Sequence, residues 1–407
     1  MIVVIADDLS GAAELANLAR QSGLTAEVRW RGPPSRDSDL CALDLDTRSL
    51  PADQAGQRMA DAYRSALSWQ PEWIYKKVDS VLRGHVGIEI EAMLAATGQR
   101  RGLLVPANPQ RQRTIENARY FVRGVPLDQS PLAHDPDHPR RSNQLRDLLP
   151  IRSIRLQTCA ELGPDLCDGI TVPDASSVDQ LSKLANQAAD YQVVAGAAEF
   201  FEALLRARGA AGSRPATQLP PRSMPDGRES IRDERELLVC GSRVAWPERL
   251  SQAAECGPRL FALPETWWDD FLARSGDSQH SSSGSPSEWI DRVVACLRDT
   301  GRAGIGIGDF DAESSGVRSP IRTDLLLQGL AAAAESVAQR VQVDRWLLEG
   351  GATASAVLRR LHFDSCALGA AQESGIGELL HPGPSHVRYY VKPGSYPWPA
   401  QLWPGSR

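Results

Sequence analysis

No run of apolar residues in this 407-residue chain approaches the roughly 20 that a membrane-spanning helix needs. There is no Cys-x-x-Cys pair either: the seven cysteines, at 41, 159, 167, 240, 256, 296 and 366, are odd in number and scattered. That pattern fits reduced thiols better than a disulfide frame or a zinc site. A basic stripe is missing too, and a net charge of −6 with a pI near 5.7 argues against a dedicated binder of nucleic acid or of anionic membranes. Neither Gly-x-x-x-x-Gly-Lys-Ser/Thr nor Gly-x-Gly-x-x-Gly occurs, so P-loop enzymes and dinucleotide-binding dehydrogenases lack their fingerprints. The chain starts directly on the apolar stretch Met1 to Ile5, without a charged leader, and the expected location is therefore cytoplasmic. What is present is ordinary for a globular protein: 42% apolar and 24% charged residues, with length for about two or three domains.

The stretch Tyr75-Lys76-Lys77-Val78-Asp79-Ser80-Val81-Leu82-Arg83-Gly84 organises the rest. Trp73, Ile74 and Tyr75 have strand character, and Val86, Ile90, Met93 and Leu94 repeat at helical spacing, so a strand, a turn and a helix are expected. The turn carries Lys77, Asp79, Ser80 and Arg83 at a strand's carboxyl end, where a parallel sheet presents ligands. Such a mixture suits a small polyhydroxy acid, since cations pair with its carboxylate while Asp and Ser bond its hydroxyls. A solvated turn would carry the same residue types, but the chain repeats the arrangement. The apolar run Ile2 to Ala6 stops at Asp7-Asp8-Leu9-Ser10-Gly11-Ala12, and a helix follows with Ala12, Leu15, Ala16 and Ala19 on one face. Ser10 is placed to cap that helix and Gly23 to end it. Adjacent acids at such a turn can hold a metal, take a substrate proton, bond sugar hydroxyls, or simply favour the helix's positive end. Leu40 to Asp46 is a further strand, running through Thr47-Arg48-Ser49-Leu50-Pro51 into a helix over about 52–69. Successive βα turns thus offer polar side chains at one sheet edge, which a surface loop does not require.

A strand is expected over Gly102 to Pro106, then an irregular stretch over 107–139 that is either a solvated loop or one that covers the substrate. Within it His134, Asp135, Asp137 and His138 imitate a metal cluster, but Pro131, Pro136 and Pro139 prevent the helix that would gather the imidazoles. Strands at 151–156, 169–173 and 191–195 alternate with helices over about 176–190 and 198–208. Residues 209–235, rich in Gly, Pro, Ser and charge, read as a linker dividing a domain over 1–208 from one over 236–407. The second half restarts the pattern with a strand at Leu237 to Cys240 that ends in Gly241-Ser242. Strands over 260–263 and 303–308, a helix over about 320–341 and a Ser-rich excursion over 274–287 follow. Leu347-Leu348-Glu349-Gly350-Gly351-Ala352-Thr353-Ala354 is again strand, turn and helix, and Val387 to Lys392 is a last strand. Glycines and a Thr at a helix amino terminus expose backbone N–H groups to a phosphate, although tight turns use glycine as routinely.

Ala6-Asp7-Asp8-Leu9-Ser10-Gly11-Ala12, Asp46-Thr47-Arg48-Ser49, Lys76 to Gly84, Gly350-Gly351-Ala352-Thr353-Ala354 and Lys392-Pro393-Gly394, in that order, resemble the four-carbon acid sugar kinases, which include D-threonate, D-erythronate and oxo-tetronate kinases. The resemblance implies an α/β protein of two domains, each a mainly parallel sheet flanked by helices, with the active site in the interdomain cleft. It implies that Asp8, Arg48, Lys77, Val78, Asp79 and Ser80 line the acid-sugar site with Asp7 adjacent, and that Ser242, Gly350, Gly351, Ala352, Thr353 and Gly394 face ATP. On this reading Lys77 and Arg48, with Arg83, fix the carboxylate, Asp8 and Asp79 hold hydroxyls, and either acid serves as base. Mg²⁺ accompanies the nucleotide, without an all-protein metal cage. The partners are the sugar acid and ATP, with neither nucleic acid nor membrane, and a homodimer is the assembly to test for. Departures are concentrated in the second domain: Ala352 stands where the family usually has an acid, Arg243-Val244-Ala245-Trp246 where it has a Ser-rich run, and Tyr396-Pro397 where it has Phe-Gly. In the first domain Glu14 replaces a usual Asp and Val78 a usual Thr. These departures keep a second reading open, a sugar-acid-binding sensor or regulator descended from such a kinase.

Overall fold

A computed structural model of the chain describes residues 1–134, 139–163, 167–209, 234–242, 245–256, 258–274, 286–308, 323–369, 377–381, 387–392, 398–399 and 402–403. The chain divides into two compact units, Met1–Leu219 and Pro220–Arg407. Most of the expected linker, residues 210–233, lies outside the described residues, as do most of the Ser-rich excursion, Asp135, Asp137, His138, Arg243, Val244, Gly394, Tyr396 and Pro397. No described helix is long and apolar enough to cross a membrane.

In the first unit the strands are β1 Ile2–Ala6, β2 Ala26–Arg29, β3 Leu40–Asp44, β4 Trp73–Lys77, β5 Arg101–Val105, β6 Arg113–Glu116, β7 Arg119–Val122, β8 Val125–Pro126, β9 Leu156–Cys159, β10 Gly169–Pro173 and β11 Val193–Gly196. The helices are α1 Leu9–Gln21, α2 Ala52–Ser68, α3 Val86–Thr97, α4 Leu145–Leu148, α5 Val178–Gln187 and α6 Ala198–Ala207. The main sheet has the order β2-β3-β1-β4-β11-β5-β10-β9, and every neighbouring pair is parallel. β1 is buried along its whole length, as its uninterrupted apolar run requires of a strand covered on both faces. Its last residue, Ala6, lies level with Asp44 of β3 on one side and Lys77 of β4 on the other. The chain thus leaves β1 toward β3 in one direction and returns as β4 in the other, and such a reversal opens a crevice at the strands' carboxyl ends.

Three expectations are corrected here. The strand expected at 151–156 is instead β9, Leu156–Cys159, because the preceding segment is held by the Glu91 carboxylate of α3, which accepts from the Arg152 and Ser153 N–H groups at 3.0 and 2.5 Å. The stretch expected to be irregular contains the antiparallel meander β6-β7-β8. β6 and β7 are joined through Asn117 and Ala118, both left-handed at φ 52° and 59°, a hairpin turn in which Ala gives no sequence signal. The cap of α1 is Asp8, not Ser10.

In the second unit the strands are β12 Glu236–Cys240, β13 Arg259–Ala262, β14 Arg302–Gly306, β15 Arg345–Glu349, β16 Ser365–Leu368, β17 Gly377–Leu380 and β18 Arg388–Lys392. The helices are α7 Trp246–Cys256, α8 Glu265–Arg274, α9 Pro286–Thr300, α10 Thr323–Ala338 and α11 Gly351–Arg360. The strand order is β13-β14-β12-β15-β18-β17-β16, parallel except for β17, which runs antiparallel to both its neighbours. Leu238, Leu347, Tyr390, Trp398, Leu402 and Trp403 form a buried core that draws the end of the chain back onto β12, β15 and β18. Each unit is thus α/β, with a mainly parallel sheet and helices packed against it.

Candidate functional site

β1 ends on two acids with different tasks. The Asp8 backbone is extended, which lets its carboxylate turn back and cap α1, accepting from the Gly11 N–H at 2.9 Å. Ser10 sits inside the first turn and donates its hydroxyl to Asp8 Oδ2 at 2.5 Å. Asp7 is buried at 1% exposure, and its carbonyl accepts from the Thr47 and Arg48 N–H groups at 3.0 and 3.3 Å, tying the turn after β1 to the turn after β3.

Arg48 completes that tie with its side chain. Its guanidinium clasps Asp7 in bidentate fashion, Nε to Oδ2 at 2.8 Å and Nη2 to Oδ1 at 3.1 Å, while Nη1 reaches Asp8 Oδ2 at 2.8 Å. Burial works against the charge on Asp7, but the Arg48 and Lys76 charges outweigh it and hold the carboxyl below its ordinary value. Burial likewise opposes the Arg48 cation, and Asp7, Asp8 and Asp79 overcome it, pushing the guanidinium well above its ordinary value. Gly84 makes room for this clasp: it is left-handed at φ +83°, and a Cβ there would lie 3.2 Å from Asp7 Oδ2 and 3.3 Å from Arg48 Cγ. Gly84→Ala is therefore expected to lower stability by about 1–3 kcal/mol, seen as a reduced melting temperature, whereas an unchanged melt would remove Gly84 from this role.

The turn after β4 is built around Asp79. One oxygen accepts from the Val81 and Arg83 N–H groups at 3.0 and 3.1 Å, and the other takes Arg83 Nη2 at 2.8 Å. Burial raises its proton affinity, but the Arg83 and Arg48 charges and the Arg83 hydrogen bonds prevail and hold the carboxyl well below the usual carboxylate range. Lys77 is nearly buried, with Nζ on the Val78 carbonyl at 3.1 Å and 3.4 Å from Glu14 of α1. The Val78 side chain is buried, its N–H donates to the Gly196 carbonyl at 3.0 Å and its carbonyl accepts from Lys77, so its backbone helps to hold Lys77 in place. Lys76, on the other face, is structural: it pairs with buried Glu89 at 2.9 Å, and Glu89 also receives the Thr47 hydroxyl.

Sequence reasoning missed several residues that the fold brings to this edge. Glu14 pairs with both Lys77 and Arg111, the latter at 3.5 Å. Arg113, at the start of β6, donates to the Ser80 hydroxyl, and Tyr120 of β7 donates to the Ser80 carbonyl. Asn108 is buried, and its side-chain oxygen has no partner among the described residues. The only sequence signal for Asn108, Arg111, Arg113 and Tyr120 was the polar composition of 107–139, while Glu14 stood out only as a departure from the family's usual Asp.

In the second unit the turns after β12 and β15 lie side by side. A Cβ on Gly241 would fall 2.2 Å from Thr353 Oγ1, so only glycine permits the approach. Gly350 stands before α11 at φ +100°, and its N–H donates to the Lys392 carbonyl at 2.7 Å. Gly351, Ala352 and Thr353 form the first turn of α11, and the Ser242 hydroxyl accepts from the Ala245 N–H at 3.2 Å. Beneath the turn lies a buried cluster that the sequence did not announce. Glu349, fully buried, takes Arg249 Nε and Nη2 at 3.0 Å each, Lys392 Nζ at 2.8 Å and the Trp398 indole N–H at 3.3 Å. Burial opposes its charge, but its bonds to Arg249 and the Lys392 charge prevail and keep the carboxyl below its ordinary value. Among the described residues no group of three or more His, Cys, Asp or Glu could hold a metal ion.

This arrangement, an α/β unit presenting acids, cations and a hydroxyl at the carboxyl edge of its sheet, agrees in class with the family model that residues 2–204 match, the sugar-binding N-terminal domain. Among proteins of known name, the chain is 30% identical to a D-threonate kinase of Salmonella typhimurium over 37% of either chain, and 34% identical to a 3-oxo-tetronate kinase of Methylobacterium radiotolerans over 41% of this chain and 40% of that one. These two matches thus span about two-fifths of each relative's length. A 3-oxo-tetronate kinase of Pseudomonas fluorescens is similar along 96% of this chain and 93% of its own, at 24% identity. A crystal structure of a Haemophilus influenzae protein shares the fold at a TM-score of 0.62 and 19% identity, covering 97% of this chain and 96% of that one. Residues 2–204 thus belong to the sugar-binding N-terminal domain family, and the named proteins that the chain resembles are four-carbon acid sugar kinases.

Proposed function

We propose that the protein is an ATP-dependent kinase that phosphorylates a terminal hydroxyl of a four-carbon sugar acid of the threonate, erythronate or oxo-tetronate type. The observation that carries this reading is the Asp7–Arg48–Asp8 clasp, which joins the turns after β1 and β3 next to the Asp79 turn after β4. The family's kinase names support the reaction class. Asp7, Asp8, Arg48, Lys77, the Val78 backbone, Asp79, Ser80 and Arg83 line the acid-sugar site on this reading. Phosphoryl transfer asks mainly for alignment and charge stabilisation, and such a rigid, multiply paired set suits that task.

Of the two acids offered as base, Asp79 is the poorer. Its carboxyl, bonded by the Val81 and Arg83 N–H groups and by the Arg83 guanidinium, is held well below the usual carboxylate range, so on this reading it orders the turn and the substrate hydroxyls and leaves the part of base to Asp8. In the second unit α11 begins directly after the left-handed Gly350, and the first-turn N–H groups that a helix leaves without intrahelical partners are what nucleotide phosphates require. Mg²⁺ would arrive on those phosphates and neutralise their charge; the described residues offer it no cage of their own.

Thermal melts with four-carbon sugar acids, with and without Mg-ATP, test the reading, because a ligand that binds only the folded protein raises its melting temperature. Stabilisation by an acid and separately by Mg-ATP is expected. Stabilisation by an acid alone would mark a sugar-acid sensor without turnover.

A further inference from the structure

Five cations gather where the turns after β1, β3 and β4 meet the 107–113 segment: Arg48, Lys77, Arg83, Arg111 and Arg113. Four of them already have a carboxylate at hand. Arg48 is 2.8 Å from both Asp7 and Asp8, Arg83 is 2.8 Å from Asp79, and Lys77 and Arg111 share Glu14 at 3.4 and 3.5 Å. Arg113 differs: its partner among the described residues is the Ser80 hydroxyl, a neutral group, and it makes no ion pair there.

The placement of Arg113 is firm. Its backbone N–H and carbonyl exchange hydrogen bonds with Asn108 at 3.0 and 2.8 Å, which fixes the first residue of β6 against the end of the β5 connection. Tyr120, fully buried on β7, donates to the Ser80 carbonyl and lies 3.4 Å from the Pro106 carbonyl, so the hairpin is docked against both the Ser80 turn and the residue that follows β5. Burial pushes the Tyr120 hydroxyl above its ordinary value, against the Arg113 charge, and it remains a donor. The half-buried guanidinium is thus held over Ser80 by a scaffold.

A substrate carboxylate settling on Arg48 or Arg83 would have to displace Asp7 or Asp79 from a charge-assisted bond. On Arg113 it would displace only a hydroxyl and gain a planar, two-pronged fit. We infer that Arg113 is the carboxylate anchor of the acid-sugar site, a role that rests on the acid-sugar reading above. The Ser80 hydroxyl then becomes available to a substrate hydroxyl. Lys77 and Asp79 address the remaining hydroxyls, and Arg48 serves to hold Asp7 and Asp8 in place.

Calorimetric titration of the full chain tests this with D-threonate and D-erythronate and with the uncharged tetritols threitol and erythritol. The unaltered protein should prefer an acid over its tetritol. Arg113→Gln should weaken acid binding by about 30-fold or more and bring it to the tetritol level, with Mg-ATP affinity unchanged. Arg113→Lys keeps the charge but not the fork, and should bind the acid about tenfold more weakly than the unaltered protein, a second readout should the Gln variant fold poorly. Acid binding that survives either substitution at full strength would overturn the anchor while leaving the acid-sugar reading standing. An unaltered protein that binds no four-carbon acid would overturn both.

Discussion

Arg48→Met is expected to cost the first unit about 3–5 kcal/mol of stability and to abolish acid-sugar turnover. The guanidinium is the counter-ion of two carboxylates, one of them 1% exposed, and methionine fills the space without the charge. Removing one partner of a buried pair leaves the other to bear its desolvation unaided. The pH dependence gives the effect a signature. In the unaltered protein Asp7 and Asp79 sit below their ordinary value of 3.8, so they contribute stability above that pH that is lost as the pH falls through their folded-state values. Without Arg48, burial of Asp7 is no longer outweighed and its folded-state value rises. Such a carboxyl penalises folding when ionised, so the deficit of the variant should be larger at pH 8 than at pH 5. Urea unfolding at both pH values measures it. A deficit below 1 kcal/mol, or one independent of pH, would contradict the part assigned to the clasp.

Glu349→Ala is expected to have a comparable effect on the second unit, about 3–5 kcal/mol, by stranding two cations in the core. Arg249 is 2% exposed and Lys392 is fully buried, and both lose their shared carboxylate in the variant. Burial already lowers the proton affinity of Lys392 against the pull of Glu349, and without Glu349 it would fall further. A lysine whose folded-state value lies below its unfolded one penalises folding while protonated, so the deficit should shrink as pH rises from 7 to 9. Gly350 follows Glu349 directly and bonds the Lys392 carbonyl, so nucleotide stabilisation should fall with it. Thermal melts at the two pH values, with and without Mg-ATP, would show this; a melt equal to that of the unaltered protein would reduce the cluster to packing.

The parts of the site legible in the sequence are those in which one local segment does everything. The apolar run of β1, its stop at Asp7-Asp8, and the strand-turn-helix around Lys77 to Gly84 all follow from short-range patterning, and the structure has them within a residue or two. Illegible were the pairings. Arg48 reads as a cation waiting for a substrate, yet it is saturated by acids 40 and 41 residues away, which only the parallel register of β1 and β3 explains. Glu349 reads as the end of a strand, and its partner Arg249 is 100 residues distant on α7. Ser10 looks like a helix cap, but Asp8, two residues earlier, has the extended backbone a cap needs and takes the position. Arg113 and Tyr120 were lost within an irregular-looking stretch because their hairpin turns through Asn117-Ala118 rather than Asn-Gly.

The most direct measurement is turnover itself: release of ADP from Mg-ATP by the full chain in the presence of each four-carbon sugar acid, with phosphorus resonance to identify a phosphate monoester on the acid. The account predicts ADP release that depends on a sugar acid, is absent with the matching tetritol, and yields a terminal phosphate ester. ADP release that is independent of every acid, or binding of acid and Mg-ATP with no ester formed, would contradict it.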